Sequence, residues 1–104
     1  MFMNCIFCRI IAKELPSKIE FEDEKSIVIH SIHPLSKVHL LVIPKKHIPT
    51  IIEVEDADQE LMGHLMIVAR NVAKKLGLGG YKLQYNVGKD GGQEVFHIHL
   101  HVLG

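Results

Sequence analysis

The chain contains no tryptophan, only two cysteines, and no apolar stretch near the roughly 20 residues needed to cross a bilayer, so no membrane span is expected. Two cysteines cannot build a disulfide framework. They stand as a CxxC pair, Cys5 and Cys8, and the expected compartment is a reducing cytoplasm. An excess of charge of either sign is also missing: 12 basic and 12 acidic residues cancel, so no global field draws the protein to nucleic acid or to a membrane surface. Any anion must be held by local groups. The opening Met1-Phe2-Met3-Asn4 lacks the basic start and long apolar run of a secretory signal. No repeat, low-complexity tract or linker divides the 104 residues, and a single domain over 1–104 is expected, of a size at which association aids stability.

What the chain has in excess is histidine, eight in all. Three of them alternate with apolar residues near the C-terminus, in Phe96-His97-Ile98-His99-Leu100-His101-Val102-Leu103-Gly104. Side chains of a strand alternate between faces, so this pattern predicts Ile98, Leu100 and Val102 on a core and three imidazoles in a row, roughly 7 Å apart. Imidazole can serve as nucleophile, proton donor or metal ligand near neutral pH.

Apolar spacing from Cys5 to Lys13 predicts a short helix ended by Leu15-Pro16. Alternation in Lys18 to Glu22 and Lys25 to His30, around Asp23-Glu24, predicts a hairpin, and the apolar run Val38 to Ile43 a central strand stopped by Pro44. A long helix follows, capped by Asp56 or Asp58. Its stripe is Leu61, Leu65, Val68, Val72 and Leu76, with Lys74 and Lys75 in the last turn and Gly77 left-handed after it. A second stripe, Met62, Met66, Ala69 and Ala73, is core or a subunit interface. Tyr81 to Val87 predicts a fourth strand, Gly88 to Gly92 a turn, and the histidine segment a fifth strand. The fold class is α+β: a five-stranded antiparallel sheet with one short and one long helix, the helices on one side. His33, before Pro34, reads as a loop residue.

Lys89-Asp90-Gly91-Gly92-Gln93 reads by itself as a hairpin turn. No helix follows, which excludes a Walker loop or a dinucleotide fingerprint; beside three imidazoles it becomes a candidate phosphate cradle.

The run His97-Ile98-His99-Leu100-His101-Val102-Leu103 resembles the signature of the histidine triad superfamily, three histidines each followed by an apolar residue. Cys5-Ile6-Phe7-Cys8, Phe21-Glu22-Asp23, Leu41-Val42-Ile43-Pro44-Lys45-Lys46-His47, Gly63-His64-Leu65-Met66-Ile67-Val68 and Asn86 to Gln93 extend the resemblance along nearly the whole chain. It is most similar to the Hint branch, the histidine triad nucleotide-binding proteins. The resemblance implies a homodimeric hydrolase of purine nucleoside phosphoramidates that releases the nucleoside monophosphate.

By the same resemblance His99 is the nucleophile and carries a transient nucleotidyl group, His101 is a phosphate-contacting or proton-handling partner, and His39 supports the nucleophile. The implied base pocket includes Ile6, Phe7, Ile10, Ile29, Ile32 and Leu41, with His30 and Ser31 beside it. Asn86 would contact ribose or phosphate; Gly92 and Gln93, continuing into Glu94 and Val95, would form the anion site. No cofactor is implied for the chemistry. Cys5, Cys8, His47 and His97 are implied as ligands of a structural zinc, as in some bacterial relatives.

The chain departs from the family in three places. Ser31 stands where an aspartate usually accepts from both ribose hydroxyls, and Glu94 stands where serine is common near the phosphate. Relatives commonly continue past the equivalent of Gly104, so leaving-group specificity does not carry over. Two rivals stay open: a catalytic metal held by His97, His99 and His101, and a purine-nucleotide-binding or partner-docking module with residual hydrolysis.

Overall fold

The computed structural model describes residues 4–104; the reading of Met1 to Met3 lies outside them. Strands β1 (Ile19–Glu22) and β2 (Ser26–His30) form the expected hairpin. Its turn is held by Asp23, whose Oδ1 accepts from the Lys25 N–H (2.9 Å), the Ser26 N–H (2.7 Å) and the Ser26 hydroxyl (2.9 Å). Strand β3 (His39–Pro44) pairs with β2, β5 (Leu100–Leu103) with the far edge of β3, and β4 (Lys82–Gln84) with β5. The order β1-β2-β3-β5-β4 is antiparallel throughout, and the expected α+β class holds.

The two helices correct one expectation: they cover opposite faces of the sheet. Helix α2 (Gln59–Lys75) lays Leu65, Val68, Ala69 and Val72 on Val28, Leu40, Val42, Leu100 and Val102. Helix α1 (Ile6–Ile11) brings Phe7 and Ile10 to the other face, against Ile27, Ile29, Leu41 and Ile43. The cause lies in the central strands. Ile27-Val28-Ile29 and Leu40 to Ile43 are apolar at consecutive positions, so both faces must be covered. Burying each such side chain contributes about 1.5–3 kcal/mol.

Three element boundaries also differ. β3 runs through Pro44, paired with Ser26, rather than stopping before it. β4 is shorter than Tyr81 to Val87, because Tyr85 turns back onto the α2 core; its hydroxyl is buried without a partner among the described residues, and burial pushes it up to about 12. The histidine strand enters the ladder only at Leu100. Pro44 has no N–H to donate, its carbonyl accepts from the His97 ring (2.7 Å), and the Ile98 N–H goes to the Ile48 carbonyl instead (2.8 Å).

Asp58 precedes α2 as expected, but its carboxylate accepts from the Glu55 N–H (3.0 Å) and from Lys46 (2.6 Å) rather than capping the helix. Gly77 ends α2 at φ +72°. Of the second stripe, Ala69 and Ala73 are buried and Met62 packs on the core, while Met66 stays at the surface beside Ile67. No helix among the described residues is long and apolar enough to cross a membrane.

Candidate functional site

Strand register brings three histidines together on the α1 face. Leu41 pairs with His101, and His39 lies two residues along β3, so the two rings meet diagonally across the β3–β5 ladder, with His39 Nε2 2.8 Å from His101 Nδ1. His99 sits just before the ladder, its ring 4.8 Å from that of His101 between centroids, and Phe7 of α1 abuts it edge-on at 5.0 Å.

The hydrogen bonds assign a tautomer to each ring. A backbone N–H can only donate, so the Leu35 N–H, 3.1 Å from His39 Nδ1, makes that nitrogen an acceptor and leaves the proton of His39 on Nε2. That proton goes to His101 Nδ1, and His101 in turn carries its own on Nε2, which is buried without a partner among the described residues. His99 donates from Nδ1 to the His97 carbonyl (2.8 Å), which leaves a lone pair on its Nε2. Within this cluster one nitrogen is left with a lone pair and one with a proton.

All three rings are held neutral. Burial lowers His39, with His99 adding repulsion; burial also lowers His99, opposed by its bond to the His97 carbonyl. His101 is pushed down to about 4, first by burial and then by His99 and His39.

The glycine turn leads into this cluster. Gly88 and Gly92 lie at φ +70° and +82°, and a Cβ on Gly91 would come within 2.4 Å of the Val87 carbonyl oxygen. The N–H groups of Gly91, Gly92 and Gln93 are all used inside the turn, bonding to Gly88, Lys89 and Gly88. The Gln93 side chain is a brace: its Oε1 accepts from Gly88, and its Nε2 donates to the Pro49 (2.6 Å) and Val95 (3.0 Å) carbonyls. The N–H groups of Lys89, Asp90, Glu94 and Val95 have no bond among the described residues, and of these Glu94 and Val95 adjoin the histidine segment in sequence. Asn86 reaches the turn through Nδ2 and the Gly92 carbonyl (3.5 Å).

The other sequence-derived positions divide. Phe7, Ile10, Ile29 and Leu41 form one apolar cluster beneath the histidines, whereas Ile6 is partly exposed and Ile32 projects into solvent. Ser31 donates its N–H to the His39 carbonyl (2.9 Å) and lies at the head of the loop leading to it. His30 is not brought to the cluster. By strand alternation it shares the Val28 face, where it meets Glu20 (2.9 Å), itself paired with Lys75 of α2.

A second cluster gathers Cys5, Cys8, His47 and His97, whose ligand atoms all lie within 4.8 Å of one another. Cys5 Sγ and His97 Nδ1 are 3.3 Å apart, Cys8 Sγ and His47 Nδ1 3.2 Å, and the two Nδ1 atoms 3.1 Å. The His97 Nε2–H is donated to the Pro44 carbonyl, so its Nδ1 lone pair turns inward. Burial lowers His97 to about 4, opposed by that bond and aided by His47 and His99. Two sulfurs and two imidazoles whose ligand atoms lie within 4.8 Å of one another suit a closed four-ligand metal site, so the donor set fits the zinc implied by the resemblance. A cleft of about 420 Å³ adjoins this cluster, walled by Cys5, Ile6, His47, Glu94, Val95 and Phe96, and His39, His99 and His101 are not on its wall.

Sequence reasoning missed two main-chain groups, the Leu35 N–H and the Pro44 carbonyl, that orient His39 and His97. Neither is marked by a side chain. Only Pro34 and Pro44 signal unusual backbone nearby.

Known proteins match the chain over nearly its whole length. The family described as scavenger mRNA decapping enzyme C-term binding matches residues 4–104. Protein HitA of Neisseria gonorrhoeae is 43% identical over 102 residues, 97% of this chain and 95% of that protein. Two solved structures superpose closely. A HIT family hydrolase from Legionella pneumophila is 48% identical with a TM-score of 0.95, over 97% of this chain and 92% of that one. A HIT family hydrolase from Clostridium thermocellum is 43% identical with a TM-score of 0.97, over 100% and 92%. With the alternating histidines in place and the match extending over nearly its full length, the chain belongs to the histidine triad family.

Proposed function

We propose that this protein is a nucleotidyl hydrolase acting on purine nucleoside phosphoramidates. The observation that carries this reading is the pairing of a lone pair on His99 Nε2 with a buried, unpartnered proton on His101 Nε2. His99 Nε2 attacks the α-phosphorus, the P–N bond to the amine breaks, and His101 Nε2–H supplies the proton that lets the amine leave. His39 donates to His101 Nδ1 as that proton departs. Water then attacks the phosphorus, returns a proton to His101 Nε2 and breaks the P–N bond to His99, releasing the nucleoside monophosphate and restoring both imidazoles. In this reading the Glu94 and Val95 N–H groups would hold phosphate oxygens, Asn86 would contact ribose or phosphate, and Phe7, Ile10, Ile29 and Leu41, which form one apolar cluster, would floor the base pocket. The solved relatives' description as hydrolases supports the reaction class.

Cys5, Cys8, His47 and His97 would hold a zinc ion, which when bound cross-links α1 to the sheet. The chemistry itself is assigned to protein groups. We read the protein as cytoplasmic and homodimeric, with Met66 and Ile67 on α2 as a candidate contact surface, a point that sedimentation tests. Turnover of an adenosine phosphoramidate by the wild type, lost in His99→Ala while nucleotide binding persists, is the expected result.

A second reading, a nucleotide-binding or partner-docking module, is favoured by Glu94, an exposed carboxylate with no ion pair among the described residues and a poor neighbour for a phosphate. Tight binding with hydrolysis no faster than in His99→Ala would select it.

A further inference from the structure

His39 and His101 form a pair of neutral rings with two ways to share a proton. In one, His39 Nε2–H donates to His101 Nδ1 and His101 presents a proton on Nε2. In the other, His101 Nδ1–H donates to His39 Nε2 and His101 presents a lone pair, which would meet an anionic phosphate with repulsion. The 2.8 Å contact between the rings is equally compatible with both. What breaks the symmetry is the loop of residues 31–38, between β2 and β3.

That loop is shaped so that one amide points at His39. The Ser31 N–H bonds to the His39 carbonyl (2.9 Å), the His33 N–H to Ser31 Oγ (3.2 Å), and the Ser36 hydroxyl to the Val38 carbonyl (2.6 Å). Pro34 restricts the residue before it to extended backbone. The Leu35 side chain is 78% exposed and packs on nothing that would explain the loop's course, yet its N–H lies 3.1 Å from His39 Nδ1.

We infer that the amide of Leu35 is a positioning group for the reaction: its N–H, donated to His39 Nδ1, selects the tautomers of the His39–His101 pair so that His101 faces the substrate as a proton donor. The relay runs from Leu35 N–H to His39 to His101. Its catalytic weight rests on the hydrolase reading above, but the tautomers themselves do not.

The test combines spectroscopy of the free protein with kinetics. Long-range proton–nitrogen spectra of histidine-labelled wild-type protein are expected to show His39 and His101 both protonated on Nε2 and bare on Nδ1. Leu35→Ala, which keeps the N–H, should preserve both the tautomers and the rate. Leu35→Pro, which removes it, should give His101 a mixed tautomer and lower kcat roughly 10- to 100-fold at nearly constant KM, a partial loss of proton donation. Should Leu35→Pro fail to fold, the ester analogue at position 35, with oxygen in place of the amide N–H, makes the same change without the ring.

A proton on His39 Nδ1 in the wild type overturns the inference, as does a variant without the N–H that keeps wild-type tautomers and rate. Expected tautomers with no turnover of any nucleoside phosphoramidate uphold the relay and sink the hydrolase reading alone.

Discussion

Two histidine clusters stand side by side on this fold and use the same side chain in opposite ways. Around Cys5, Cys8, His47 and His97, lone-pair atoms converge within 4.8 Å, an arrangement that asks for a cation. Around His39, His99 and His101 the ring nitrogens are consumed in sequence by backbone and by each other, until one lone pair and one proton are left. His97 belongs to both. Its ring points into the first cluster and its carbonyl holds His99 in the second, so the alternating histidines are divided in role. Chemical identity is thus a weaker guide to role than the partner each nitrogen is given.

The comparison breaks most sharply at His99. His99→Ala should lower phosphoramidate hydrolysis roughly 10³-fold or more while leaving nucleotide affinity within a few fold, measured by turnover and calorimetry. Loss of affinity equal to the loss of rate would make His99 a binding residue. Next comes His101→Ala, expected to cost about 10²-fold or more for substrates with a basic amine leaving group, and much less for an activated leaving group such as a nitrophenol. An equal loss for both would remove the proton-donor role.

Changes in the other cluster should act on stability first. Cys8→Ser, or chelation of the zinc-loaded protein, is expected to lower the melting temperature by about 10 °C or more, from a metal contribution of about 2–4 kcal/mol. The rate per folded molecule should fall less than tenfold. A melting temperature indifferent to zinc would remove the metal from the account.

Acid supplies the smallest effect. His101 is near 4 when folded against an ordinary value of 6.5, and His39 is lowered too, so the unfolded chain takes up protons first as pH falls. The stability these rings contribute is complete above about pH 6.5 and is lost progressively toward pH 4. Urea titrations at stepped pH should show that slope, reduced in His101→Ala; a slope unchanged in the variant would mean the burial of His101 is not coupled to folding.

Much of this was legible in the chain, for reasons tied to particular residues. Period two in 97–103 and the dense runs of β2 and β3 specify strands, and Leu65, Val68 and Val72 specify the face of α2, because backbone geometry alone sets those periods. The opposite placement of α1 is legible in principle in the consecutive apolar residues Ile27-Val28-Ile29 and Leu40 to Ile43, which require cover on both faces. His30 differs for a related reason: the resemblance implies a place beside the pocket, and strand alternation turns its side chain to the other face, toward Glu20. The Leu35 amide, the Pro44 carbonyl and the spent N–H groups of Gly92 and Gln93 were not legible, since backbone donors and acceptors carry no residue code.

The division of labour between the clusters is tested most directly by trapping the intermediate. Wild-type protein is mixed with a nucleoside phosphoramidate in the presence of a chelator, quenched within one turnover, and digested for mass spectrometry. A nucleotidyl group is expected on the peptide bearing His99, localised to that ring and absent from His99→Ala. No adduct, together with activity that appears only when a divalent metal is restored, would contradict it and assign the chemistry to metal bound at His97, His99 and His101.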